Sequence, residues 1–192
     1  IGLANAGFRP LLIHQRIDFA LLSLDQIANN AAKWRYMFNE KAHAPIVVRM
    51  IIGRGWGQGP QHSQSLQMLF SIFHGLVVVM PATPSDAKGM LLAAFKQNDP
   101  VMFIEHRWLH NIVGNVPKDP YVAALVGQNI LREGRDVTIL AVSHMVPESL
   151  EASTVLQKCM NITCEVVDLR VVRPLDLSVV KKSIQKTKCN LL

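Results

Sequence analysis

The chain is poor in the residues that staple, charge or anchor a protein. Its 192 residues include three cysteines, Cys159, Cys164 and Cys189, all near the end. An odd count without metal-ligand spacing excludes a disulfide framework and fits a reducing compartment. Charged side chains make up only 18% while apolar ones make up 49%, a balance that excludes intrinsic disorder. Apolar runs such as 46–48 and 76–80 are strand-length, far short of the roughly 18–20 residues of a membrane span. The start also lacks the basic, apolar, small-residue order of a secretory signal. The excess of 20 Lys+Arg over 14 Asp+Glu is diffuse. Its one cluster, Lys181, Lys182, Lys186 and Lys188, has helical spacing and reads as a solvated face rather than a nucleic-acid surface. The first residue is Ile1, and the last three, Asn190-Leu191-Leu192, begin an apolar run, so both ends read as cut.

What is present is alternation. At this length the expectation is one domain, or one plus part of another, burying roughly 70% of the unfolded surface. Residues 11–14, 45–52, 76–80 and 101–105 read as strands. Between them, Asp18 caps a helix to about Met37, a second helix covers 63–73, and Thr83-Pro84-Ser85-Asp86 opens a third. That last signal combines a capping threonine, proline at the first helical position and an acid in the first turn. Strand–helix–strand order predicts an α/β fold with a mostly parallel sheet and helices on both faces. Residues 112–135, punctuated by Gly114, Pro117, Pro120, Gly127 and Gly134, read as a linker. The alternation then restarts with strands at 137–142 and 163–169, helices at 147–159 and from 177 to about Lys186, and a third strand opening at Leu191-Leu192. The expected organisation is a first domain at 1–111, a linker at 112–135 and the start of a second α/β domain at 136–192.

Several residue groups carry candidate chemistry. Gly53, Gly55, Gly57 and Gly59 lie between a strand and a helix, where amides can cradle an anion. Their spacing matches neither the dinucleotide fingerprint nor the phosphate loop, so a tight structural loop is the competing reading. His62 follows at a strand-to-helix corner, where parallel-sheet proteins place their chemistry and a histidine can exchange protons. Ser63 lacks the Gly-x-Ser-x-Gly setting of a nucleophile. His106 and His110 have the spacing of a helical metal pair, but His106 ends a strand, which argues against zinc. His14, His43, His74 and His144 stand isolated.

At this point the residues resemble a family. The block from Phe19 through Asp25-Gln-Ile-Ala-Asn-Asn-Ala-Ala-Lys-Trp-Arg-Tyr-Met37 is similar to the beta subunit of thiamine-diphosphate-dependent 2-oxoacid dehydrogenases. So are Gly59-Pro-Gln61-His62-Ser-Gln-Ser-Leu66, Gly75-Leu-Val-Val-Val-Met-Pro-Ala-Thr-Pro-Ser-Asp-Ala-Lys-Gly89 and Asp99-Pro-Val-Met-Phe-Ile-Glu-His106. The resemblance continues through Arg132-Glu-Gly-Arg-Asp-Val-Thr-Ile139 and Asp168-Leu-Arg-Val-Val-Arg-Pro-Leu-Asp176, in order and at the right separations. It implies a transketolase-type pyrimidine-binding domain, a linker and the start of a transketolase-type C-terminal domain. It also implies an alpha2beta2 heterotetramer with an alpha subunit and a second beta subunit, in which the diphosphate and its magnesium sit on the alpha side. The implied reaction is oxidative decarboxylation of a 2-oxoacid and acylation of a lipoyl group on an acyltransferase, with the cofactor supplying the hard chemistry.

By the same resemblance, Phe19 is the aromatic packed against the aminopyrimidine, Gln15 a polar neighbour of the cofactor, and His62 the histidine that reaches the active site. Main-chain carbonyls of Ile46, Ala94, Phe95, Gln97 and Asp99 match a monovalent-cation (K+) site of some members. Two departures stand out. His14-Gln-Arg-Ile-Asp-Phe19 replaces a more apolar stretch of pyruvate-specific members, and the family's essential glutamate falls before Ile1. The isolated chain is therefore expected to be inactive. Acetoin dehydrogenases share these blocks, so acetoin stays open as substrate; sugar-phosphate enzymes would need further basic residues. An assembly-only piece is the non-enzymatic alternative. The expected location is the cytoplasm in a bacterium or the mitochondrial matrix in a eukaryote.

Overall fold

The computed structural model of the chain describes residues 1–187 and 189–191; Lys188 of the basic cluster and Leu192 of the expected last strand lie outside them. Strands form at Leu11–His14 (β1), Val47–Ile52 (β2), Val77–Val79 (β3) and Val101–His106 (β4), then at Asn129–Arg132 (β5), Val137–Ala141 (β6), Cys164–Asp168 (β7), Val171–Arg173 (β8) and Asn190–Leu191 (β9). The α-helices are Gly2–Asn5 (α1), Trp34–Met37 (α2), Gln67–Ser71 (α3), Pro84–Ala94 (α4), Met145–Met160 (α5) and Ser178–Thr187 (α6). They build two sheets, ordered β1-β2-β4-β3-β8 and β5-β7-β6-β9. Strands β1 to β4 are mutually parallel where they pair, as are β7, β6 and β9, while β8 and β5 run antiparallel to their neighbours.

The first sheet is apolar on both faces because both are covered. Side chains alternate along each strand. Val48, Met50, Ile52, Val78, Met102 and Ile104 pack with Ile17, Ala20, Ile27 and Phe70 on one side. Val47, Val79, Val101 and Phe103 pack with Met90, Ala93 and Ala94 of α4 on the other. Such strands read as continuous aliphatic runs, as doubly covered parallel sheets do. In the second sheet, Ile139, Cys164 and Val166 meet Leu150 and Leu156 of α5. Its other face is polar: Thr138 Oγ1 lies 2.7 Å from both Ser183 Oγ and Thr187 Oγ1 of α6, and Lys186 pairs with buried Glu165. Among the described residues no helix is long and apolar enough to cross a membrane.

Helix α4 starts as its sequence predicts. Thr83 Oγ1 accepts from the Asp86 amide at 3.0 Å, with Pro84 in the first turn. Thr83→Ala is expected to cost about 1 kcal/mol, read from the denaturant midpoint.

Four expectations change. Residues 17–37 are helical but not one α-helix: a 3-10 segment Ile17–Ser23 and a π segment Gln26–Asn30 lead through Ala31–Lys33 to α2. The changes of winding keep Ile27, Ala28, Ala31 and Ala32 all buried. They also accommodate Gly75 (φ +89°), where a Cβ would come within 1.8 Å of the Ala32 carbonyl oxygen. Asp18 is not the cap, which falls at Arg16; the Asp18 carboxylate turns instead to Gln64. That bond takes the Gln64 amide, and the helix expected over 63–73 shrinks to α3. Finally, residues 112–135 contain β5, held by pairing with β7, and β8 leaves its own unit to extend the first sheet beside β3. Arg170, just before β8, forms a buried ion pair with Asp86 of α4 and so ties the two units together.

Candidate functional site

The parallel strands β1, β2, β4 and β3 end along one edge of the sheet, and the loops that follow them gather the polar and aromatic side chains there. Open α/β sheets place ligands at this edge. After β1 the chain passes Gln15, which is exposed, into the turn that carries Phe19. After β2 the glycine loop leads to a short 3-10 turn, Pro60–His62. The structure thus brings Phe19 and His62 together: their rings meet edge to face, with centroids 5.1 Å apart and an interplanar angle of 84°. Phe19 is 38% exposed, so part of it remains open to solvent.

The turn between β1 and Phe19 is buried and polar. Arg16 Nη1 donates to the Gly53 carbonyl at 3.1 Å. Asp18 Oδ1 accepts from the Gln64 amide at 3.3 Å and from Gln64 Nε2 at 2.9 Å. Arg16 Nη2 and Asp18 Oδ2 are buried without a hydrogen-bond partner among the described residues.

The glycine spacing has a packing cause. A Cβ at Gly53 would stand 3.2 Å from the His106 ring, and one at Gly55 would stand 3.3 Å from the Trp108 ring. Alternate glycines let the imidazole and the indole lie against the loop, which favours the tight structural loop over the phosphate cradle. Trp56, next after Gly55, takes Arg16 and Arg107 at 5.8 and 5.2 Å from its ring centroid, within cation–π range.

His106 and His144 form a pair that spacing did not show. Their rings stack 4.8 Å apart at 15°, and Trp108 stands edge-on to both. One imidazole ends β4 and the other immediately precedes α5, more than 30 positions later, so only the tertiary fold could reveal them. Burial, then the His144, His110 and Arg16 charges, push the His106 pKa down to about 4. Its Nδ1 accepts from the Trp108 amide, which assigns the ring proton to Nε2. His110 turns instead toward Glu105, at 3.7 Å. Among the described residues no group of three or more His, Cys, Asp or Glu side chains is placed to hold a metal.

Asp168 was also missed as a site, its only sequence signal being an acid that ends an aliphatic strand. It is fully buried at the end of β7, with neither carboxylate oxygen hydrogen-bonded among the described residues. Burial and then the Asp86 carboxylate push its pKa up to about 7, against the pull of Arg170.

A guanidinium occupies part of the carbonyl set matched to a monovalent cation. Ile46 O already accepts from the Val101 amide and Ala94 O from the Gln97 amide. Phe95 O and Gln97 O both accept from Arg9 Nη1, the first at 3.0 Å. The Asp99 carboxylate pairs with Arg35. A guanidinium bound to two of the oxygens supplies a positive charge and would repel a second one.

A partly exposed aromatic ring beside a histidine stands at the edge where α/β proteins place their ligands. Residues 1–112 match the family model "Transketolase, pyrimidine binding domain", and residues 127–192 match "Transketolase, C-terminal domain". The chain belongs to the transketolase pyrimidine-binding domain family. It is 45% identical over 187 residues to the acetoin:2,6-dichlorophenolindophenol oxidoreductase subunit beta of Cupriavidus necator, covering 97% of this chain and 55% of that protein. Identity is 41% to the 2-oxoisovalerate dehydrogenase subunit beta of Bacillus subtilis and 38% to the pyruvate dehydrogenase E1 component subunit beta of the same organism. Each alignment covers 97% of this chain, and 57% and 58% of those proteins respectively. The chain thus spans a little over half the length of these curated relatives. A solved structure described as "Split gene transketolase, inactive beta4 tetramer" superposes with a TM-score of 0.80 at 22% identity, covering 98% of this chain and 58% of that one. This likeness speaks for the fold.

Proposed function

We propose that the chain is the pyrimidine-holding part of a beta subunit of a thiamine-diphosphate-dependent 2-oxoacid dehydrogenase. The observation that carries this reading is the pairing of the half-open Phe19 ring with His62 at the carboxyl edge of the sheet. The surroundings fit an aminopyrimidine. The turn that leads into Phe19 holds a buried donor, Arg16 Nη2, and a buried acceptor, Asp18 Oδ2, neither with a partner among the described residues. A ring bearing an amino group and acceptor nitrogens has the matching polarity.

When bound, thiamine diphosphate supplies a carbon nucleophile and an electron sink for decarboxylation. The work of the chain is orientation and proton handling. Phe19 packs against the heterocycle and excludes water from that side, and Gln15 adds a polar contact at the end of β1. His62 hydrogen-bonds or exchanges a proton at the substrate carboxylate or at a lipoyl sulfur. The diphosphate, its Mg2+ and the rest of the crevice belong to an alpha subunit in an alpha2beta2 assembly with a second beta subunit. The lipoyl group arrives on an acyltransferase. Leu11, Leu12 and Ile13 on the edge strand β1, all at least 38% exposed, together with Leu21 and Leu22, give an apolar surface for such assembly.

The test is a substrate panel. The protein, co-expressed with an alpha partner, is expected to reduce 2,6-dichlorophenolindophenol with a 2-oxoacid, and only in the presence of thiamine diphosphate. Turnover of acetoin alone would select the second reading, which the 45% identity to an acetoin subunit favours. Failure of the assembled pair to bind thiamine diphosphate would leave it an assembly piece and sink the proposal.

A further inference from the structure

His62 is placed by a segment with little stiffness of its own. The loop before it has glycine at 53, 55, 57 and 59, every one at positive φ. Glycine backbone is the most permissive available. The turn that carries His62 is three residues long, and its internal backbone bond, His62 N–H to Gly59 O, is 3.4 Å. Nothing local to that segment accounts for an imidazole held edge-on to one particular ring.

The constraint comes from the opposite strand end. Arg16 bonds the Gly53 carbonyl, where the loop begins, and also lies over Trp56 inside it. Asp18 takes both the amide and the side-chain nitrogen of Gln64, two residues after His62. Both grips come from one turn, and Phe19 is the next residue of that turn. The turn is itself immobilised: Ile17 and Ala20 are fully buried, and Arg16 and Asp18 are 3% and 8% exposed. Hydrogen bonds to charged side chains are roughly twice as strong as neutral ones; the Arg16 bond is buried and the Asp18 bonds are part-buried.

The geometry points to a clamp: Arg16 and Asp18 are positioning residues that fix the 53–64 segment on both sides of His62 and so set the His62–Phe19 contact. The placing of His62 rests on the structure alone, while its catalytic meaning rests on the proposed function. The test is chosen to separate the two. In the 192-residue chain, without cofactor or partner, nuclear Overhauser contacts between the His62 and Phe19 ring protons report the pairing directly. Asp18→Ala is expected to abolish them. Asp18→Asn keeps an acceptor oxygen for Gln64 and is expected to retain them. Gln64→Ala removes an exposed side chain and one of the two bonds, and is expected to weaken them at unchanged Tm. In the assembled enzyme, Gln64→Ala, which leaves the Asp18 carboxylate in place for the cofactor, is expected to lower kcat through misplacement of His62, with KM nearly unchanged. The clamp is overturned if the ring contacts survive Asp18→Ala, or if Asp18→Asn loses them as completely. Should Asp18→Ala not fold, undiminished contacts in Gln64→Ala overturn it.

Discussion

Replacing His62 by alanine in the protein assembled with an alpha partner is expected to cut turnover by about 10²–10⁴-fold, the usual range for a lost acid–base group. Stability is expected to change little. His62 is only partly buried, and its aromatic contact is an edge-to-face one with Phe19 rather than one with the aliphatic core. Removal therefore opens space at a crevice mouth, not in a packed interior. His62→Gln separates the two kinds of work open to the imidazole. Glutamine can donate a hydrogen bond to a carboxylate or sulfur but cannot exchange a proton at neutral pH. A His62→Gln enzyme well above His62→Ala would assign His62 to binding, and one equally low would assign it to proton transfer. Undiminished turnover in His62→Ala would remove the residue from the reaction altogether. The ratio of steady-state to single-turnover rates then tells whether the affected step is decarboxylation or the later transfer to the lipoyl group.

Much of the fold was legible because a doubly covered parallel sheet writes itself as short aliphatic runs between punctuation. Val47–Ile52 and Val101–His106 could be found from their runs, and Thr83-Pro84 announced α4. The winding of residues 17–37 was not legible. Apolar residues three or four apart satisfy a 3-10, an α or a π turn alike, and the close approach of Gly75 decides among them. Asp18 shows the same ambiguity in a polar residue: an acid at a helix start reads as a cap, and only the folded chain reveals Gln64 as its partner. Strands β5 and β8 hide because each takes its stability from distant partners, β7 and β3. At the site, His62 stood out by its corner, and the resemblance supplied Phe19. The stacked His106 and His144, the buried Asp168 and the grip of Arg9 on the Phe95 and Gln97 carbonyls all join residues far apart in sequence. No local pattern marks such pairs.

Asp168→Asn is expected to stabilise the chain at alkaline pH, by an amount that grows with pH. The Asp168 carboxyl titrates near 7 in the folded chain, against 3.8 as the reference value for the unfolded one. Its folded pKa is raised, so the fold favours the protonated form. Any stability that depends on this proton is fully present below about pH 4 and is lost progressively as pH climbs through 7. A shift of this size corresponds to roughly 4 kcal/mol between the two limits, as an order of magnitude. The cause is structural: the carboxylate is fully buried with no hydrogen bond to either oxygen, and Asp86 lies close enough to add repulsion. Asparagine keeps the shape and removes the ionisation. His106 acts at the other end of the scale. Its folded pKa of about 4 lies below the reference 6.5, so its contribution is intact above 6.5 and is lost as pH falls toward 4. Chemical unfolding from pH 4 to pH 9 should therefore show the wild-type midpoint declining on both flanks. Asp168→Asn should flatten the alkaline flank and leave the acid one in place. Parallel wild-type and Asp168→Asn profiles across the whole range would mean that Asp168 is already ionised and solvated in the fold. The junction at Asp86, Arg170 and Asp168 would then be wet rather than dry, and the two α/β units would meet across water.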